Sequence, residues 1–366
     1  MKISFNTPIN RVSFGQVSIA LLREAYAKKH DVISLPIGQL DLSSLEKSSG
    51  DSAEFPEWLN RGVERFGLEH DRSRPTFKIW HLELAQGFNA ISDNQCLMTF
   101  HELDNLTPLE INVAKNSHKL VVTSKYTQEV FESNGIKSHY VPLGFDSHSF
   151  SRVEKAYHRD GRIVFNLSGK FEFRKHHAKT LKAWAKKYGN DKRYALQCAV
   201  FNPFLSDQDN NQIIASALDN ERYFNISFLP LMQTNETYND YLNSSHIVIG
   251  MSGGEGWGLP EFQSVAVGKH AVIMDAHGYK GWANSENSVL VNSTSMVDCV
   301  DGVFFVKGSQ QNQGKIFDFN EDDFISGCEE AIKRVESNPL NDKGLELQER
   351  LSYEKCYDNI LNVLNE

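Results

Sequence analysis

The stretch HIVIGMSGGEGWGLPEFQSVAVGKHAVIMD, residues 246–275, constrains the fold of this chain more than any other. It opens on a β-branched apolar run that suits a strand buried on both faces, and it closes on another, KHAVIMD. Between them lie Gly253, Gly254, Gly256 and Gly258, a glutamate, and a Leu-Pro-Glu helix start. Proline is tolerated at the first helical position, and a carboxylate in the first turn suits the helix dipole. Gly268 ends that helix. The glycines therefore sit on a strand-to-helix turn at the carboxyl end of a parallel strand, where open α/β sheets bind their ligands. Backbone N–H groups at such a helix start point at an anion, and glycine lets the anion come close. Glu255, in the same turn, would repel a phosphate. It is aimed instead at neutral hydroxyls, such as those of a sugar.

The same alternation of strand and helix fills most of the chain. KISFN reads as a strand, and FGQVSIALLREAYAKKH as a helix with apolar residues at Val17, Ala20, Leu21, Ala25 and Tyr26. DVISLPIG, FKIWHLE, CLMTFHE and KLVVTS read as strands, and PEWLNRGVERFG, TPLEINVAKNS and KYTQEVFESNG as helices. The polar segment 147–160 is the expected linker. After it come RIVFNLS, YALQCAV and NISFLP as strands, with HHAKTLKAWAKKYG, DQDNNQIIASALDN and TNETYNDYLNSS as helices. Two such blocks predict two parallel sheets covered on both faces, and 366 residues are enough for two cores. The expected domains are residues 1–150 and 151–340, with a helical end at 341–366.

A second cluster supports the first. SGKFEFRKHH follows the opening strand of the second block, again at a carboxyl end, and carries Lys170, Arg174 and Lys175. Arginine offers phosphate a fork and lysine a point charge. Against a net charge of −9 this reads as a local anion trap, while the overall charge excludes a broad nucleic-acid surface. The five scattered cysteines suit a reducing cytoplasm. With no apolar run of spanning length and no apolar leader, the expected location is cytoplasmic. Arg23, Lys28 and Lys29 read as a solvated helix face, with membrane contact peripheral at most. The first strand-helix turn lacks G-x-G-x-x-G, which argues against a simple dinucleotide oxidoreductase.

Gly169-Lys170, Arg174-Lys175 and Glu255-Gly-Trp-Gly-Leu-Pro260, in that order, resemble glycosyltransferase family 4, retaining enzymes of the GT-B fold. Val141-Pro-Leu-Gly-Phe-Asp146 is similar to the segment that closes the family's first domain, and the resemblance covers residues 100–300. It implies two Rossmann-like, doubly wound parallel-sheet domains facing a cleft. The first would take a carbohydrate or lipid-linked acceptor and the second a nucleotide-diphosphate sugar. The terminal helix would pack back on the first domain. A hexose would pass to a hydroxyl, with no cofactor beyond the donor and no metal.

By the same resemblance, Lys170, Arg174 and Lys175 would neutralise the donor diphosphate, helped by amides near Gly258 and Leu259. Glu255 would hold the sugar, and His101 would face it from the first domain. Gly15, Gly169, Gly254, Gly256 and Trp257 would line the donor site. The family's second glutamate, eight residues after the first, is here Gln263, with Glu261 two residues off. Asp275, His277 and Gly278 are candidates for the same crevice, whereas His81, His176 and His177 read as solvated or structural. A nucleotide-sugar epimerase and a non-catalytic nucleotide-sugar binder are the competing functions.

Overall fold

The computed structural model describes residues 1–45, 54–153 and 161–366. The first block supplies β1 (Lys2–Asn6), α1 (Ser13–Ala27), β2 (Asp31–Ser34), α2 (Glu54–Glu69), β3 (Thr76–Ile79) and β4 (Gln95–Thr99). It continues with α3 (Pro108–Asn116), β5 (Lys119–Val122), α4 (Lys125–Ser133) and β6 (His139–Tyr140). Its six strands form one sheet in the order β2-β1-β3-β4-β5-β6, with every neighbouring pair parallel. α3 starts on a capping box in which Thr107 and Glu110 satisfy each other's backbone N–H groups.

The second block runs β7 (Ile163–Gly169), α5 (His177–Tyr188), β8 (Tyr194–Val200), α6 (Asp207–Ala217), β9 (Ile226–Phe228) and α7 (Asn235–Asn243). β10 (Ile247–Gly250), α8 (Leu259–Ala266), β11 (His270–Met274) and β12 (Val289–Val291) complete it. Its strands are again all parallel, in the order β12-β11-β10-β7-β8-β9. The order reverses between β7 and β10. β10 and β11 are buried along their whole length, as their uninterrupted apolar sequences require. The fold class is α/β with two Rossmann-like parallel-sheet units, as the alternation predicts.

An inserted hairpin and the burial of Arg23 were not visible in the pattern, whereas a terminal helix was expected to pack back on the first domain. β13 (Ser293–Asp298) and β14 (Lys315–Phe319) form an antiparallel hairpin inserted before α9 (Glu321–Ser337). The terminal segment then divides: α10 (Asp342–Arg350) packs on α8, and α11 (Tyr353–Asn365) crosses to lie on α1, β4 and β5. The crossing runs tight against Gly144, where a Cβ would lie 2.1 Å from the main chain of Ser352. Finally, Arg23 is not on a solvated face. It is buried and paired with Asp146 at 3.0 Å, while Lys28 is held by Asp358 of α11 at 3.1 Å. Lys29 is exposed and Lys28 half-buried, so of the three cations it is Arg23 that the fold withdraws from the surface. No helix among the described residues is long and apolar enough to cross a membrane.

Of the expected linker, residues 154–160 lie outside the described residues. The part before them is tied to α7, where Asn239 and Asn243 side chains accept from the Ser151 and Val153 N–H groups.

Candidate active site

The turns after β7 and β10 open side by side, because these strands are neighbours at the reversal of strand order. β7 ends on Gly169 at φ +120°, and a Cβ there would sit 3.6 Å from Lys175 Nζ. A short 3-10 turn, Phe173–Lys175, follows and is stopped by His176 at φ 53°. The two turns are joined by main chain. Gly253 N–H donates to the Arg174 carbonyl at 2.8 Å, and the Arg174 guanidinium donates to the Gly254 carbonyl. The Lys175 ammonium pairs directly with Glu255, and Arg174 reaches the same carboxylate oxygen at 3.2 Å. All three side chains are buried.

The cations are not a bare anion trap. Arg174 also pairs with Glu172 and, across the domain boundary, with Glu102 at 3.1 Å, and Lys170 pairs with Glu172 at 2.8 Å. An unpaired buried charge is costly, so the fold supplies carboxylates to match. Glu102 and Glu172 are therefore members of the site that sequence reasoning missed. Burial pushes Glu255 upward, but Lys175 and Arg174 outweigh it and hold the carboxyl down at about 2. Glu102 is pushed up to about 7 by burial and by Glu255 and Glu172, against the pull of Arg174.

Glu261 is a third missed carboxyl. It lies buried in the first turn of α8, and one of its oxygens has no hydrogen-bond partner among the described residues. Burial, opposed by Lys175 and aided by Glu255, lifts it to about 7. Gln263 is buried on the same helix. A carboxyl whose folded pKa exceeds its ordinary value of 4.5 stabilises the fold below that value and stops doing so as pH rises through about 7. Thermal stability should therefore fall between about pH 5 and about pH 8, and Glu261→Gln should flatten the fall by about 2–4 °C, the shift expected of roughly 1 kcal/mol. A melting profile that is parallel in wild type and variant would refute this.

His277 and Gly278 buttress the glutamate turn. His277 Nε2–H donates to the Ser252 carbonyl at 2.7 Å, and Gly278 N–H donates to the Glu255 carbonyl at 3.0 Å. Burial holds His277 down at about 4, so it is neutral. Asp275 instead faces Lys280 at 3.6 Å. Gly258 adopts φ +84° as it enters α8, whose first residue is Leu259. Gly256 packs on Phe100 of the first domain, and its carbonyl accepts from Thr123 Oγ1 at 2.8 Å. The Trp257 ring is buried against Phe262 and faces the core. His101 is buried too: Nε2–H donates to the Asn105 carbonyl at 2.8 Å, and the ring stands edge-on to Phe131. Gly15 lies in the first turn of α1, where a Cβ would be 2.2 Å from the Asn10 carbonyl oxygen.

The histidine that the structure leaves exposed at the cleft is His81, at the carboxyl end of β3. Desolvation by the surrounding protein and the charge of Lys170 both lower its pKa. Its place just after a predicted strand was the available signal. His176 and His177 are buried and donate to the carbonyls of Phe317 and Ser168. The inserted hairpin closes the side of the site. Phe317 N–H donates to the Gly253 carbonyl at 2.9 Å, and Lys170 Nζ lies 3.7 Å from the Phe304 ring centroid.

No protein-family model and no curated protein sequence matches the chain. Solved structures do. Sucrose-phosphate synthase from Thermosynechococcus elongatus is 14% identical over 99% of this chain and 98% of its own, with a TM-score of 0.66. Anabaena HepE, solved in complex with UDP-glucose, is 12% identical over 100% and 99%, with a TM-score of 0.65. Trehalose 6-phosphate synthase from Burkholderia multivorans is 10% identical over 100% and 98%, with a TM-score of 0.62. At such identities the likeness is one of fold, and the fold of this chain is GT-B, two Rossmann-like parallel-sheet domains meeting along a cleft.

Proposed function

We propose that the chain is a glycosyltransferase of the family 4 kind, moving a hexose from a nucleotide-diphosphate sugar to a hydroxyl acceptor with retention and without a metal. One observation carries this reading: Lys175 and Arg174 from one turn and Glu255 from the other meet in a single buried cluster at the strand-order reversal. It is supported by the fold, since HepE has been solved with UDP-glucose and with UDP.

On this reading the diphosphate displaces carboxylates from Arg174 and Lys175. These cations then take up the charge that grows as the glycosidic bond breaks. Glu255, released from them, accepts hydrogen bonds from the sugar hydroxyls. Gln263 still offers ribose a donor and an acceptor. The acceptor proton passes to a donor phosphate oxygen on the same face, so the protein's work is positioning and charge stabilisation.

The test is incubation with UDP-, GDP- and ADP-hexoses and a panel of acceptors in EDTA, following nucleoside diphosphate release and product anomer by NMR. Acceptor-dependent release with the donor's anomeric configuration retained is expected. Conversion of the donor alone would instead indicate an epimerase, and binding without turnover a non-catalytic protein. Activity lost in EDTA and restored by Mn²⁺ would contradict metal independence.

Glu102 competes with the diphosphate for Arg174. As pH falls through about 7 it takes a proton and frees the guanidinium. Diphosphate affinity should therefore rise toward acid pH, and Glu102→Gln should tighten binding at about pH 8 by roughly tenfold, or ~1.4 kcal/mol. Equal affinity in wild type and variant across the range would remove Glu102 from this role.

A further inference from the structure

Resting on the glycosyltransferase reading, we propose that Phe14, Trp80 and Phe100 form a stacking platform for one uncharged sugar ring, which makes the acceptor a carbohydrate. The strand order of the first sheet reverses between β1 and β3. Phe14 follows β1, while Trp80 and His81 follow β3, so they flank the crevice at that reversal. The rings form one cluster. Phe14 lies 4.9 Å from Phe100, 4.7 Å from His81 and 6.3 Å from Trp80. All three platform rings are only partly buried.

The platform adjoins the donor side. A Cβ on Gly256 would lie 3.0 Å from the Phe100 side chain, so Phe100 abuts the glutamate turn itself. Phe14 and Trp80 stand at 80° to each other, so a sugar ring stacked on the Trp80 face would meet Phe14 at its edge, on the side where Phe100 adjoins the glutamate turn.

The chemistry selects the occupant. Aromatic faces carry negative charge density, and the C–H face of a pyranose, polarised by its oxygens, is complementary to them. The nearby Lys170 is already paired with Glu172, which disfavours a phosphorylated acceptor. His81 borders the rings with an exposed imidazole whose pKa is lowered by desolvation from the surrounding protein and by the charge of Lys170. It suits hydroxyls and breaks the apolar continuity that an alkyl chain needs.

The test is saturation-transfer NMR with methyl α-D-glucopyranoside, methyl α-D-mannopyranoside, methyl β-D-galactopyranoside, glucose 6-phosphate and octyl β-D-glucopyranoside, with UDP, GDP or ADP present. Wild type, Phe14→Ala, Trp80→Ala and Trp80→Phe are compared, and each preparation is also checked for a thermal shift with the nucleotides. The expected result is transfer to ring protons of the uncharged sugars, reduced at least about fivefold in Trp80→Ala and restored in Trp80→Phe, with the nucleotide shift intact. No ring transfer, transfer to the octyl chain alone, preference for the phosphate, or equal transfer in Trp80→Ala overturns the platform and leaves the donor reading standing. A wild type with no shift for any nucleoside diphosphate overturns both.

Discussion

Exchanging Glu255 for glutamine lowers turnover by at least about a hundredfold, the effect of removing one group preorganised for the transition state, roughly 2.7–4 kcal/mol. Glutamine keeps the volume of the side chain and loses its charge. That choice matters because Lys175 and Arg174 both lean on this carboxylate. Truncation to alanine would orphan buried cations, which typically costs about 3–5 kcal/mol of stability and would confuse the readout. The amide variant also gives an opposite sign in binding. With Glu255 neutral, the cations are freer, so nucleoside diphosphate binds more tightly while turnover falls. Unfolding cannot produce that split. Near-normal turnover in folded Glu255→Gln protein would strike Glu255 from the mechanism.

Gly254→Ala has a comparable effect for a steric reason. A Cβ at this position would lie 2.2 Å from the main-chain oxygen of Glu102, in the other domain. Backbone cannot swing aside as a side chain does, so the two domains cannot meet at this turn. Turnover should fall about a hundredfold, because misplacing reacting groups by an ångström is enough for that. X-ray scattering should show a more open particle, while circular dichroism keeps its α/β signature. Gly67→Ala is the control, since nothing lies within 4 Å of a Cβ there and helix α2 should accept alanine neutrally or with a small gain. Wild-type turnover and scattering from Gly254→Ala would contradict the closure of this turn on Glu102.

Much of the site was legible because it is local. The glycine turn announces itself by its apolar strand, its Leu-Pro helix start and the carboxylate between them. The cationic turn announces itself by following another buried strand. Their meeting required only that β7 and β10 be neighbours, which the doubly wound pattern implies.

What was not legible depends on the tertiary fold. Glu102 is joined to Arg174 only because the domains touch there, and nothing in the residues beside it says so. Glu261 looked like an ordinary first-turn acid until α8 proved buried along most of its length. The β13–β14 hairpin hides in a stretch of exposed, mixed residues whose pairing, not periodicity, makes them strands. Arg23 looked like a surface charge because its partner, Asp146, comes from the far end of the same domain.

The central claim is that the turns after β7 and β10 jointly hold a diphosphate. It is tested most directly by calorimetric titration of wild type and Lys175→Gln with UDP, GDP and ADP and with the matching monophosphates. One diphosphate should bind wild type at least about tenfold more tightly than its monophosphate, a difference of ~1.4 kcal/mol, and the preference should vanish in the variant. Equal binding of mono- and diphosphate by wild type, or a preference that survives loss of the Lys175 ammonium, would contradict it.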